Sequence, residues 1–365
     1  MSLTAAQWLE QLQALSFSKP FKIMNVCGGH ERSITHAGLR GMLPPAFELI
    51  PGPGCPVCIC PEEDIFTAIQ WATHEKIILV AFGDMLRVPV NVPKNQPRSL
   101  EQAKASGADI RPIASPQEAV SIARHNPSTT VVFFAAGFET TIAPVASMLV
   151  EGVPSNLLIL LSGRLTYPAV KMLLETEQAA FDALIAPGHV AAVMGAEEWE
   201  FVATRHQMPV AVAGFSAESL LAGFYSVARQ FQTHRIALDN CYPQVVHQNG
   251  NPTAKQQLKQ AFEIIDATWR GIGIIPQSGF ELRETFAHHN ARLKLPTYDE
   301  VSRRRMGEMP AGCDCAKVVL GQLYPNQCKL FGKSCVPRAP IGPCMVSDEG
   351  ACRIWWAAGL RNPQP

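Results

Sequence analysis

The chain carries no excess charge of either sign: its formal net charge is +0 over 365 residues. This removes the basic footprint of a nucleic-acid binder and the acidic tail of a solvating segment. No apolar run approaches the ~18 residues of a membrane helix. The start, Met1 to Gln7, has neither the basic nor the long apolar part of a secretory signal. Eleven cysteines are too few for a disulfide-dense secreted scaffold. A cytoplasmic protein is expected, with no membrane and no nucleic-acid partner, and there a cysteine cluster more often means metal or catalysis than structural bridges. Several motifs are missing: no G-x-G-x-x-G follows a strand, and no G-x-S-x-G or H-E-x-x-H occurs. Gly332-Lys333-Ser334 has Gln327 where a phosphate-binding loop needs its first glycine. No internal repeat or low-complexity tract is present.

What the chain has is an apolar content of 47%, enough for more than one core. Short β-branched and aromatic runs recur at Ile23–Val26, Phe47–Ile50, Ile77–Phe82, Val131–Ala135, Leu157–Leu161, Ala183–Ala186 and Pro209–Ala213. Apolar on both faces, they read as strands of parallel sheets. Helical stretches separate them. One starts at Ser115-Pro116-Gln117-Glu118, with Ser115 as N-cap, and another at Ser216-Ala217-Glu218-Ser219, running to about Gln230. The alternation predicts an α/β protein with two doubly wound parallel-sheet domains, over 1–140 and 141–268. It fades after about Thr268. Residues 269–365, including Arg303-Arg304-Arg305, read as loop-rich and in need of a staple such as a metal.

Three cysteine arrangements carry the chemistry. Cys315, Cys328, Cys335 and Cys352 are spaced C-x12-C-x6-C-x16-C. Four thiolates suit a [4Fe–4S] cluster, although this is not ferredoxin spacing, and structural zinc or unliganded thiols stay open. Cys55-Pro56-Val57-Cys58 lies between a strand end and a helix start, where amide N–H groups favour thiolate and a reversible disulfide. Half of a metal site, or a rigid Gly/Pro turn, is the alternative. Cys27-Gly28-Gly29-His30 follows the first strand. Its glycines let the backbone approach a ligand, or simply make a tight turn. Polar residues mark three other strand ends: Phe82-Gly83-Asp84, Gly137-Phe138-Glu139 and Pro187-Gly188-His189. Open α/β sheets bind ligands at that edge. Cys27, Cys55, Cys58, Asp84, Glu139 and His189 are therefore expected to line one cleft.

These motifs, above all Gly52-Pro53-Gly54-Cys55-Pro56-Val57-Cys58 with the cysteine tail, resemble the HypD family of [NiFe]-hydrogenase maturation proteins from about Phe21 to Trp356. The resemblance implies two α/β domains around a cleft plus a C-terminal iron–sulfur region. It implies a scaffold that works with a small HypC-type chaperone to build the Fe(CN)2CO unit destined for the hydrogenase large subunit, with a HypE-type partner delivering cyanide as a thiocyanate. By motif, Cys27 would hold the iron with His30 close by. Cys55 and Cys58 would be the redox dithiol, and Cys315, Cys328, Cys335 and Cys352 would bind a [4Fe–4S] cluster. Many members read Thr-His after the histidine where this chain has Glu31-Arg32, and Cys60, Cys241, Cys313 and Cys344 receive no role. Two other functions compete: an iron–sulfur-dependent protein disulfide reductase, and a binding module with a zinc-stapled tail.

Overall fold

A computed structural model describes residues 3–176, 181–298 and 309–360. Arg303-Arg304-Arg305 lies outside them. The strands are β1 (Phe21–Cys27), β2 (Phe47–Gly54), β3 (Ile77–Phe82), β4 (Ile110–Ile113), β5 (Thr130–Gly137), β6 (Leu157–Gly163), β7 (Ala183–Pro187), β8 (Val210–Ala213), β9 (Leu238–Asn240), β10 (Phe262–Trp269) and β11 (Gly273–Leu282). All seven expected strands are among them.

Two parallel sheets form. The first has the order β2-β1-β7-β8-β9 and the second β4-β3-β5-β6. Both are wrapped by helices, so their strands are buried on both faces, which is why the apolar runs are continuous rather than alternating. The first sheet separates two apolar cores: Ile23, Ala183 and Ile185 face one side, Met24, Val26 and Leu184 the other. The second does the same, with Ile78, Val80 and Val131 opposite Leu79, Ala81 and Val132.

The sheets cross the expected boundary at residue 140. β1 and β2 leave the N-terminal lobe early and pair with β7 to β9, while β3 to β6 form a sheet of their own between them. The chain passes from the first sheet to the second after β2 and returns before β7.

The expected helices are present, with one change of detail. Ser216 caps the helix Ala217–Thr233 by accepting from the Ser219 amide. Ser115 caps Pro116–His125 without a side-chain bond, and Glu118 instead accepts from the Ala114 amide at 3.2 Å.

The region after Thr268 is not all loop. β10 and β11 form an antiparallel hairpin with Phe262 opposite Leu282 and Trp269 opposite Gly273. Its turn uses Gly271 and Gly273 at φ 71° and 108°, left-handed values that favour glycine. The hairpin rests against the second sheet, where the Leu165 amide donates to the Ser278 carbonyl at 2.8 Å. Beyond it, short turns and the helices Cys315–Val319 and Ala351–Ala357 carry the C-terminal cysteines.

Candidate metal and thiol centre

Each sheet has a switch point where strand order reverses. In the first it lies between β1 and β7, in the second between β3 and β5. Ligands of open α/β sheets sit outside the strand ends at such points. Here the β1/β7 switch point meets the segments that follow β5 and β6 of the second sheet. A narrow cavity of about 70 Å3 is lined by Cys27, Pro187 and His189 from the first sheet and by Phe138, Thr140, Thr141 and Thr166 from the second, with Gly54, Pro56 and Glu349 closing it. That is far below the several hundred cubic ångströms of a pocket for an organic substrate. It suits an ion with small ligands.

Cys27 ends β1 and precedes the helix Gly28–His36. The Gly29 and His30 amides point at its sulfur and favour the thiolate, but burial and the nearby Glu349 carboxylate outweigh them, and the thiol is pushed up to about 12. Cys27 therefore keeps its proton at neutral pH unless a cation enters beside it. The glycines have a packing reason. A Cβ at Gly28 would lie 2.3 Å from the Glu349 carbonyl oxygen, and one at Gly54 only 1.9 Å from the Val26 carbonyl oxygen. The Gly-Pro-Gly segment is thus the end of β2, pressed against β1 across a register irregularity, rather than a free turn.

Of the six residues expected in the cleft, Cys27 and His189 line the cavity; Cys55 and Cys58 lie behind Pro56, and Asp84 and Glu139 sit elsewhere. Asp84 accepts from the Ser347 hydroxyl at 2.9 Å and the Asp348 amide at 3.3 Å, so it fastens the C-terminal segment. Glu139 is fully buried and accepts from the Thr166 amide at 2.6 Å and hydroxyl at 2.7 Å. Burial raises its pKa to about 7. It braces Thr166 rather than facing the cavity. His30 is also behind the wall: its Nε2 lies 2.9 Å from the Ala213 carbonyl, and burial lowers its pKa to about 4, leaving it neutral. The imidazole on the cavity is His189. Phe215 separates the two rings, 4.7 Å from His30 and stacked 3.7 Å from His189.

Cys55 and Cys58 form a disulfide. Cys55 is the N-cap of the one-turn helix Pro56–Ile59 and Cys58 lies within it, and the Cys58 amide donates to Cys55 Sγ at 3.2 Å. Both are buried, at 4% and 0% exposure. The turn shows Pro56 to the Cys27 cavity and packs its other side on the Pro343–Met345 turn and the helix Cys315–Val319.

Those two segments bear the C-terminal cysteines. Sulfurs of Cys315, Cys344 and Cys352 lie within 4.8 Å of one another, all buried. The Cys315 and Cys344 thiols point at Cys352 and draw its pKa down. Cys313 Sγ is 3.3 Å from Cys315 Sγ. Cys328 and Cys335 lie at the margin of the group, where neighbouring cysteines raise their pKa in addition to burial. The Ile341 amide donates to Cys335 Sγ at 3.4 Å. At Gly342 a Cβ would meet Cys313 Sγ at 2.3 Å and Cys315 Sγ at 2.5 Å. A buried all-sulfur donor set with amide donors and a glycine wall fits a thiophilic metal centre. Cys344, which the spacing left without a role, is inside the group. Cys60 is not: it lies 3.5 Å from the Ser162 hydroxyl and burial pushes it up to about 12.

A family model described as hydrogenase formation hypA family, under the name HypD, matches residues 3–359. The chain belongs to the HypD family. The hydrogenase maturation factor HypD2 of Bradyrhizobium diazoefficiens is 38% identical, covering 93% of this chain and 90% of the relative. The HypD factors of Rhodobacter capsulatus and Escherichia coli are each 37% identical, covering 97% and 95% of this chain and 93% and 92% of theirs. The chain is accordingly a hydrogenase maturation factor. Among the described residues no helix is long and apolar enough to cross a membrane.

Within this HypD architecture, Glu31 is put to structural use. It is 1% exposed and receives Arg40 Nη2 on both oxygens, at 2.6 and 2.7 Å, and Trp355 Nε1 at 2.6 Å. The Arg40 guanidinium also lies 5.0 Å from the Trp355 ring centre. The helix after Cys27 is thereby tied to the helix that bears Cys352. Glu349 is the other residue sequence reasoning missed. Its signal was faint: an acid three residues before Cys352, brought to Cys27 by the fold of a distant tail.

Proposed function

We propose that this chain is a cytoplasmic scaffold on which, together with a HypC-type chaperone, the Fe(CN)2CO unit of a [NiFe]-hydrogenase is assembled, with cyanide supplied as a thiocyanate by a HypE-type partner. The observation that carries the reading is the placement of the Cys55–Cys58 disulfide. It lies between the Cys27 cavity, which Pro56 lines, and the buried cysteine group against which the same turn packs.

In this reading Cys27 is the thiolate that anchors the incoming iron, and loss of its proton accompanies that binding. The small cavity limits how much water can compete. Thr140, Thr141 and His189 offer polar contacts around the iron's other ligands. Splitting cyanide from a thiocyanate takes two electrons. Two thiols provide them: RSCN plus Cys55-SH and Cys58-SH gives RSH, HCN and the Cys55–Cys58 disulfide, with every proton and electron accounted for. Cys315, Cys328, Cys335 and Cys352, with Cys313 and Cys344 beside them, would hold a [4Fe–4S] cluster, which when bound supplies electrons one at a time. A plain disulfide reductase working on outside proteins fits less well, since it leaves the Cys27 cavity without a use.

The test is infrared spectroscopy of the protein purified anaerobically with its small chaperone. Metal-bound cyanide and CO stretches are expected from the wild type and absent from Cys27→Ala. Their persistence in Cys27→Ala would overturn the assignment of the anchor. Cys55→Ala should keep its iron–sulfur absorption yet fail to support hydrogenase maturation.

A further inference from the structure

Reduction of the Cys55–Cys58 pair must be repeated each time it is oxidised, and this requirement rests on the function proposed above. Both sulfurs are closed off from a large reductant. Electrons must enter at another surface, and charge marks one.

Acidic and basic residues balance over the whole chain but not along it. From Cys315 to Ser347 there is no Asp or Glu, while Lys329, Lys333 and Arg338 are present beside Lys317, which pairs with Asp314 at 3.0 Å. From Met85 to Leu100 there is again no Asp or Glu, while Arg87, Lys94 and Arg98 are present. The fold brings these two acid-free stretches together. A surface cavity of about 350 Å3 is lined by Arg87, Arg98 and Arg338 with Ser99 and Ser334, and Glu101 is the one carboxylate in its wall among the described residues. A second hollow, of about 310 Å3, adds Lys94 and shares Arg98. Arg87 donates to the Pro337 carbonyl, which pins the two stretches to each other. Arg98, Lys329, Lys333 and Arg338 are exposed.

The same wall touches the sulfur group. Ile341 lines the first cavity, and its amide donates to Cys335 Sγ. Lys329 and Lys333 stand in the short turn between Cys328 and Cys335. The positive face therefore lies directly over the cysteine group rather than at a random place on a neutral protein.

We propose that this face docks an acidic one-electron carrier protein. Complementary charge steers such encounters and fixes their orientation. The overall balance is two molecules of reduced carrier, two protons and the Cys55–Cys58 disulfide giving two oxidised carriers and two thiols. The carrier contributes the electrons and solvent the protons.

The probe is a plant-type [2Fe–2S] ferredoxin, its binding to the full-length anaerobic protein followed by biolayer interferometry. Binding is expected to weaken about tenfold or more from about 50 to about 300 mM salt. The variant R98E/K333E/R338E should bind at least about tenfold more weakly at the lower salt. R124E/K259E, on exposed cations outside this face, should stay within about twofold. Thermal midpoints check that each variant is folded. Reduced ferredoxin should open the disulfide, counted as two new thiols, more slowly in the triple variant in proportion to its lost binding. Salt-independent binding, a triple variant equal to wild type, or equally tight binding of a short DNA duplex would overturn the docking proposal. Reduction of the wild type by dithiothreitol separates the two readings: if no pair of thiols appears, the dithiol function fails; if the pair appears but ferredoxin does not bind, the docking face fails alone.

Discussion

Replacing Glu31 tests whether the iron-anchoring end of the molecule and the cysteine tail are mechanically one unit. Glu31 is buried, and its carboxylate receives Arg40 and Trp355. Glu31→Ala removes both acceptors at once. Arg40 keeps its bond to the Leu49 carbonyl at 2.6 Å, but loses the charge it faces. Breaking one side of a buried ion pair costs about 3–5 kcal/mol. The orphaned indole N–H adds about 1 kcal/mol or more. Glu31→Gln keeps an acceptor and should cost less, about 1–2 kcal/mol. A global midpoint registers such a loss without locating it, so a local readout is needed here. Amide hydrogen exchange is the right one. If the clamp limits local opening, 3 kcal/mol corresponds to roughly a hundredfold faster exchange. Segments 28–36 and 351–357 should both accelerate in Glu31→Ala, with Glu31→Gln between it and wild type. Unchanged protection of 351–357 would refute the clamp, because Trp355 would then be held by its other contacts.

Further outcomes follow from the same geometry. Glu139 has its folded pKa raised from 4.5 to about 7 by burial. The folded state thus binds more protons between those values, so this group's contribution is complete below pH 4.5 and lost as pH rises through 7, by about 3 kcal/mol at most. Glu139→Gln should remove that slope from a urea-midpoint series between pH 5 and 8, and parallel curves for the two proteins would contradict it. Gly54→Ala drives a Cβ into the Val26 carbonyl and should lower stability by about 1–3 kcal/mol or more; a thermal midpoint equal to wild type would show that β1 and β2 are not so closely pressed. Cys315→Ala or Cys352→Ala, purified without oxygen, should lose bound iron and visible absorption, while Cys241→Ala keeps them. Full metal content in the first two would exclude the cysteine group as the holder.

The readable parts of this sequence were those where one physical pressure dominates. Strands buried on both faces must be apolar throughout, so β1 to β3 and β5 to β8 stand out. β4 and β9 did not, because they are short edge strands: β4 contains Arg111 and Pro112, and β9 is Leu-Asp-Asn. The hairpin was hidden for another reason. Ile264 and Ile274 are exposed at 55% and 71%, so its apolar residues do not mark one clean face. Pairing between strands far apart in sequence leaves no local trace either, and the alternation of elements could not show that β1 adjoins β7. In the site, motif residues at strand ends were legible, since cysteine, histidine and glycine there have few ordinary uses. Which of them faces the cavity was decided by side-chain direction. His30 turns to the Ala213 carbonyl and Asp84 to Ser347, leaving the cavity to His189 and to Glu349.

The order of strands in the first sheet has a consequence for biosynthesis. β1 and β2 leave the ribosome early, yet their neighbour β7 begins only at Ala183. At translation speeds of about 5–20 residues per second, Cys27, Cys55 and Cys58 wait roughly 6 to 30 seconds before that neighbour exists. During the wait the nascent thiols are open to oxidants and to stray metals. A cell that makes this protein has reason to guard the half-made chain.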